Sequence, residues 1–247
     1  MRAHPPTANT LVIGTVGNWA VNPHLYNLPY SVLTDFAPII HVGTTPAVLV
    51  VHPSVPAKSV KDLIALAKQK PGELNYGSTG VGGFGHMCAE LFSAMTQTKM
   101  THISYKGSAP ALADLLGGHI QVLFNSAIVT VPQILEGKVR ALATTGATRL
   151  AILPDVPTVA EAGVPGYENS TWSGIAAPAR TPRPVIARLN RELAAVLELT
   201  DIRERFSAAG STVTGGTPEH FHETLRSELA KYGKLIKDAG IKPAVGG

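Results

Sequence analysis

Short apolar runs alternate with amphipathic helical segments along almost the whole chain, and this alternation restricts the fold to the α/β class with substantially parallel sheets. The runs "TLVIG" (10–14), "APIIHV" (37–42) and "AVLVVH" (47–52) read as strands. The segment "SVKDLIALAKQKPG" opens with Ser59 and Asp62 in capping-box spacing and stops at Pro71 and Gly72, which predicts a helix. A strand "ELNYG" leads into a glycine-rich loop. From Phe84 a helix follows, with Met87, Cys88, Leu91, Phe92 and Met95 on one face. The next unit repeats the order: strand "THISYKG", Ser108 as N-cap with Pro110 in the first turn of "APALADLLGG", then strand "HIQVLFN". Strand "RALATT", a short helix after Thr158 with Glu161 in capping-box spacing, and strand "STWSGIAA" come next. Two helices close the chain, one lined by Ile186, Leu189, Leu193 and Val196, the other by Phe221, Leu225, Leu229, Tyr232 and Ile236 and ending at Gly240.

With 247 residues and 45% hydrophobic content, the chain can bury a large core in one large domain or two smaller ones. The net charge of +4 comes from dispersed basic residues, with no Lys/Arg run and no interleaved aromatics, so nucleic acid is not the expected partner. A small organic anion suits that balance equally well. The single cysteine, Cys88, rules out an internal disulfide and a multi-cysteine metal site, and its helical neighbours make it an apolar filler rather than a reactive thiol. No stretch reaches the roughly 18 to 20 apolar residues needed to span a bilayer. The opening "MRAHPPTANT" has no apolar h-region, so no secretory signal is expected there, and the chain is expected to be cytoplasmic if Met1 is the true start.

The loop "NYGSTGVGGFGHMCAELF" carries five glycines between Gly77 and Gly85. Gly80, Gly82 and Gly85 fit the dinucleotide fingerprint, but no Asp or Glu occurs between Glu90 and Asp114 to hold a ribose. Gly85 is followed by His86 and Met87 rather than the Lys-Ser/Thr of a phosphate-binding loop. Two readings stay open. Unpaired N–H groups and the helix dipole can hold a carboxylate, aided by the Ser78 and Thr79 hydroxyls, or the glycines merely allow tight strand-to-helix packing. A second such loop, "YKGSAPAL", favours the anion reading, although Ser108 can serve simply as an N-cap. A third, "GTVGNWAVNPHLY", is a candidate wall of the same site. His86, in the first turn of its helix, reads as a neutral structural donor or as helix-start packing rather than a ligand contact. His220 and His222, two apart, do not share a helix face and are not expected to pair on a metal.

Seven segments in order resemble one family: "GTVGNWAVNPHLY", "LPYSVLTDFAPI", "VVHPSVPAKSVKDLIALAK", "LNYGSTGVGGFGHMCAELF", "HISYKGSAPALADLLGGHI", "LPDVPTVAEAGVPGYE" and "GGTPEHF". They are similar to the extracytoplasmic solute receptors of tripartite tricarboxylate transporters, the Bug or TctC-like family. The resemblance implies an α/β, bilobed, type II-like periplasmic binding protein with two mixed or parallel sheet domains joined by two crossover strands. On this sequence the first domain would be residues 1–47 with 177–247 and the second residues 48–176, with "AVLVVH" and "SGIAA" as the crossovers. It also implies a non-enzyme without cofactor or metal, monomeric if complete. Its partners would be a small organic anion (a di- or tricarboxylate, an amino acid or an aromatic acid) and membrane transporter subunits.

Carried over by position, the ligand wall comprises Thr15 and Asn18 from the first domain, and Ser78, Thr79, Gly80, Gly107, Ser108 and Ala109 from the second. Asn125, with Ser126 beside it, stands where many family members carry Asp. The amide removes a negative charge and favours a more anionic ligand or one without an amino group, unless it merely satisfies the hinge. Trp172 lies where an aromatic often borders the cleft, or else in the core. Family members begin with a signal peptide, a strand, a glycine-rich loop and a helix that have no counterpart here. The first domain is therefore expected to be incomplete, the chain lacking roughly a quarter of a receptor of ordinary domain sizes. A ligand sensor for a membrane signalling protein is the alternative function, and a nucleotide-dependent oxidoreductase the third.

Overall fold

A computed structural model of the protein describes residues 10–242, so the opening "MRAHPPTAN" lies outside the described residues. The chain divides into two compact units. The first holds residues 10–44, 171–206 and 212–242; the second holds residues 45–170 and 207–211.

In the first unit, β1 (Val12–Thr15) leads through a π-helical turn (Gly17–Val21) into α1 (Asn22–Leu25). The sequence gives no sign of that turn. The strand β2 (Phe36–Val51) contributes its first half to this unit and its second half to the other. The second unit continues with α2 (Val60–Gln69), β3 (Asn75–Ser78), α3 (Phe84–Thr96), β4 (Thr101–Ser104), α4 (Ser108–Leu116), β5 (Val122–Ser126), α5 (Ala127–Leu135) and β6 (Arg140–Thr144). The chain returns to the first unit through β7 (Ser170–Pro178), α6 (Arg183–Leu197), α7 (Thr200–Ala208), β8 (Thr212–Gly215) and α8 (Pro218–Asp238).

The segments 37–42 and 47–52 are one strand, where two were expected. Its first half pairs with β8 from His41 to Thr44, and its second half pairs with β5 and β6 from Ala47 and Val48 to Val51. Pro46, which has no N–H to donate, falls between the two ladders, so the strand continues without losing a ladder bond.

In the second unit β2 runs antiparallel to β5 and β6, while β3 runs parallel to both β4 and β5. The apolar run of β2 is covered on both faces, as an unbroken hydrophobic strand requires. Ala47, Leu49 and Val51 pack with residues of α2 and α3, whereas Val48 and Val50 pack with residues of α4 and α5. Each fully buried Val or Leu stabilises the unit by about 1.5–3 kcal/mol relative to exposure. In the first unit β1 pairs antiparallel with β7, from Val12 opposite Ala176 to Thr15 opposite Ser173. Its core gathers Ile39, Ile40, Ala177 and Ile186, beside an aromatic group of Trp19, Phe36, Trp172 and Phe221.

The capping boxes fare differently. Ser59 accepts from Asp62 N–H at 3.1 Å and opens α2. Thr158 and Glu161 form both reciprocal bonds, at 2.8 and 3.1 Å, yet only turns follow. Ala162 N–H closes a single turn onto the Thr158 carbonyl at 2.9 Å, and Gly163, at φ 116°, and Pro165 end the segment there. Ser108 is the first helical residue of α4 rather than its N-cap, a place taken by Gly107.

Candidate functional site

The parallel strands β3, β4 and β5 end on the same side of the second unit's sheet, and each is followed by a helix start. Such strand ends are where α/β sheets collect ligands. Ser78 ends β3 and Thr79 and Gly80 follow it, Gly107, Ser108 and Ala109 follow β4, and Asn125 and Ser126 end β5. The second unit therefore brings eight of the candidate residues to one side of its sheet.

The starts of α3, α4 and α5 share an electrostatic property. None has a side-chain cap and none has an acidic residue in its first turn. By contrast, α2 and α8 are capped by Ser59 and Thr217 and carry Asp62 and Glu219 in their first turns. Helix α6 also lacks a cap, but it opens on Arg183. An uncapped helix start without a carboxylate leaves N–H groups and positive dipole for an anion.

The glycines of the first loop divide their labour. Gly80 and Gly82 sit at φ 127° and 76°, turning the backbone where a side chain would be strained. Gly85 serves packing, because a Cβ there would lie 2.2 Å from the Phe124 carbonyl oxygen on β5. The packing reading thus holds at Gly85, while Gly80 and Gly82 shape the turn itself.

Asn125 is 6% exposed, and its Oδ1 accepts from Ser126 N–H at 2.9 Å and from Ser108 Oγ at 3.3 Å. Those donors fix the orientation of the amide. Its Nδ2 has no hydrogen-bond partner among the described residues. A buried amide donor without an acceptor is costly, so it is informative at a site.

Beneath the loop lies a polar cluster that the sequence does not disclose. Ser78 Oγ lies 2.6 Å from His102 Nε2, accepts from Gly80 N–H at 3.1 Å and contacts Gly80 O at 3.0 Å. His86 Nδ1 accepts from Gly82 N–H at 3.2 Å. The His86 and His102 rings are 4.3 Å apart, and Tyr76 stacks on both. Tyr76 OH donates to Glu90 Oε1 at 2.6 Å. Burial holds both imidazoles down to about 4, with the neighbouring His86 a further cause for His102. Burial and the bond to Glu90 push the Tyr76 phenol well above its ordinary range. His86 is thus neutral as expected, but toward the loop it is an acceptor, since a backbone N–H can only donate. Parallel register sets His102 opposite Tyr76, a pairing invisible in one sequence.

Ser78 and His102 stand at the distance of a nucleophile and its base. Ser78 is only 1% exposed, however, and its hydroxyl is bound to Gly80 as well. The pair therefore ties the loop rather than presenting a nucleophile.

In the first unit, Thr15 N–H and Oγ1 donate to Asn18 Oδ1 at 2.6 and 3.1 Å, closing the turn after β1. Trp172 lies in that unit's core, 4% exposed, with Nε1 donating to Glu228 Oε2 at 3.1 Å. Its ring is 5.7 Å from Phe221 and 6.0 Å from His41. Cys88 is fully buried in the second unit's core.

Two α/β units sharing a continuous strand, with helix starts aligned at strand ends, define the chain as a periplasmic binding protein in fold, and its structural neighbours include the periplasmic binding protein BugD, with a TM-score of 0.85 and 31% identity. The family model "Tripartite tricarboxylate transporter family receptor" matches residues 1–241, and the chain belongs to that family. A UPF0065 protein of Pseudomonas sp. (strain P51) is 36% identical over 94% of this chain and 69% of its own length. Protein BugT of Bordetella pertussis is 34% identical over 87% of this chain and 66% of its own. Among solved structures, R. palustris Rpa4515 with adipate has a TM-score of 0.89 and 38% identity, covering 97% of this chain and 81% of that one. MatC from Rhodopseudomonas palustris with bound malate has a TM-score of 0.82 and 26% identity, covering 94% and 81%.

Proposed function

We propose that this chain is a periplasmic solute receptor that captures a small organic carboxylate between two domains and hands it to a membrane transporter of the tripartite tricarboxylate type. The proposed domains are residues 1–47 with 177–247 and residues 48–176, closing about the crossover strands. Thr15 and Asn18 would supply the first domain's contacts. Capture of this kind needs no covalent step. The observation that carries the reading is the trio of uncapped, acid-free helix starts around the unpartnered Asn125 Nδ2. Their N–H groups and dipoles favour an anion, and the amide donor needs an acceptor oxygen. Rpa4515 with adipate and MatC with malate support a carboxylate as that anion.

Asn125 narrows the ligand class. With its Oδ1 occupied by Ser126 and Ser108, the group it leaves unpaired is a buried donor. A carboxylate or carbonyl oxygen fits there, whereas an ammonium would meet like polarity.

The test is thermal unfolding of the chain with adipate, malate, citrate, benzoate and NAD in separate samples. A ligand at 100 times its Kd adds about 2.7 kcal/mol to stability and raises the midpoint visibly. A rise with one carboxylate class is the expected result. A rise with NAD alone, or a cooperative transition that no carboxylate moves, overturns the reading.

A further inference from the structure

We infer that His86 and His102 are positioning residues for the anion loop, setting from below the backbone geometry that presents its donors to ligand. The inference builds on the reading of the loop after β3 as a ligand contact, made through donors other than the Ser78 hydroxyl and the Gly80 N–H, and it concerns two side chains outside the ligand wall.

The hydrogen bonds leave little freedom. Ser78 Oγ has one proton to give, and Gly80 N–H already donates to it. The Ser78 proton goes either to His102 Nε2 or to Gly80 O, and in the second case His102 Nε2–H donates back to Oγ. In both arrangements the hydroxyl is consumed inside the protein, and His102 is bound through it to Gly80. His86 reaches the same loop two residues on, its Nδ1 accepting from Gly82 N–H. Two adjacent imidazoles thus hold the two positive-φ glycines of one turn.

The surroundings fix those imidazoles in turn. Tyr76 on β3 stacks at 5.0 Å from the His102 ring and 6.3 Å from that of His86. Glu90, one helical turn beyond His86 on α3, accepts the hydrogen bond of Tyr76 OH and lies 3.9 Å from His86 Nε2. This places the Nε2–H tautomer of His86 toward the carboxylate and its Nδ1 lone pair toward the loop. A displacement of about 1 Å in a binding turn is enough to weaken a preorganised site substantially.

The experiment has a readout free of any ligand and a second that uses one. In the full chain labelled with nitrogen-15, His86 Nδ1 is expected to resonate as an unprotonated ring nitrogen at pH 7, and the Gly80 and Gly82 amides to exchange slowly. His86→Phe and His102→Phe keep the aromatic stack and remove the loop bonds. They should speed exchange at those two amides and weaken adipate or malate binding about tenfold, the value of one lost hydrogen bond. His86→Asn and His102→Gln return an amide atom near the lost nitrogen and should restore both properties. An Nδ1–H tautomer at His86 overturns the inference. So do Phe variants whose amide exchange and affinity match wild type, or a loss that the amide variants fail to restore. If wild type binds neither acid, the carboxylate reading fails for those ligands, and the tautomer and exchange data still decide the role of the histidines. If the Phe variants do not fold, the wild-type tautomer and the amide variants decide it.

Discussion

Asn125 shows how much one side chain can say about a ligand once its neighbours are known. Asn125→Asp exchanges the unpartnered donor for a negative charge beside three helix starts. Isothermal titration should show carboxylate affinity falling by about tenfold to a hundredfold, the range for losing a bond to a charged group. The residue type at this position was readable from the sequence, and so was its consequence for charge. The direction of the amide was not, because it depends on Ser126 and Ser108 arriving from two different loops. His102 illustrates the opposite limit. Nothing along the chain marks it, since its partners Ser78, Tyr76 and His86 come from another strand and a helix. Trp172 could be located but not assigned, as an aromatic at the end of an apolar run suits a cleft wall and a core alike.

Helix α3 crowds β5 where Gly85 approaches the backbone of Phe124. Gly85→Ala should destabilise the second unit by about 2 kcal/mol, since neither main chain can move aside easily. The midpoint of urea unfolding checks this, with an unchanged midpoint excluding the close approach. Elements with explicit boundary chemistry were legible: α2 between Ser59 and Pro71, and α8 ending near Gly240. Elements defined by their pairing were not. Thr45 and Pro46 look like a break, yet ladders on either side of them keep β2 extended. Helix α5 was hidden because "AIVTVPQIL" is β-branched and contains Pro132, a pattern that competes with helix, and packing of Ala127 and Val131 decides the matter. The Thr158 and Glu161 pair warns that capping bonds alone do not make a helix.

Three imidazoles respond together when the whole molecule is acidified. Burial holds His41, His86 and His102 at about 4, against an ordinary value of 6.5, with His220 a further cause for His41. Each is neutral in the fold and takes up a proton on unfolding anywhere between those values. The unfolded state then binds more protons, so stability falls as pH drops from about 6.5 toward 4 and this contribution levels off below. Thermal midpoints measured across that range should fall, and substituting Phe at His41, His86 and His102 together should flatten the slope; a midpoint constant through the window contradicts the buried, neutral assignment. The family was legible because seven motifs recur in one order, a signal spread over most of the chain. The two tryptophans, Trp19 and Trp172, stand 6.5 Å apart and both belong to the first unit. Indole emission is therefore blind to the second unit, where the anion loops lie. Followed by that emission, denaturation reports one half of the molecule, while the circular dichroism of the backbone reports both. Superimposed curves would mean that the halves melt as one cooperative body, and separated curves that the ligand loops have a stability of their own.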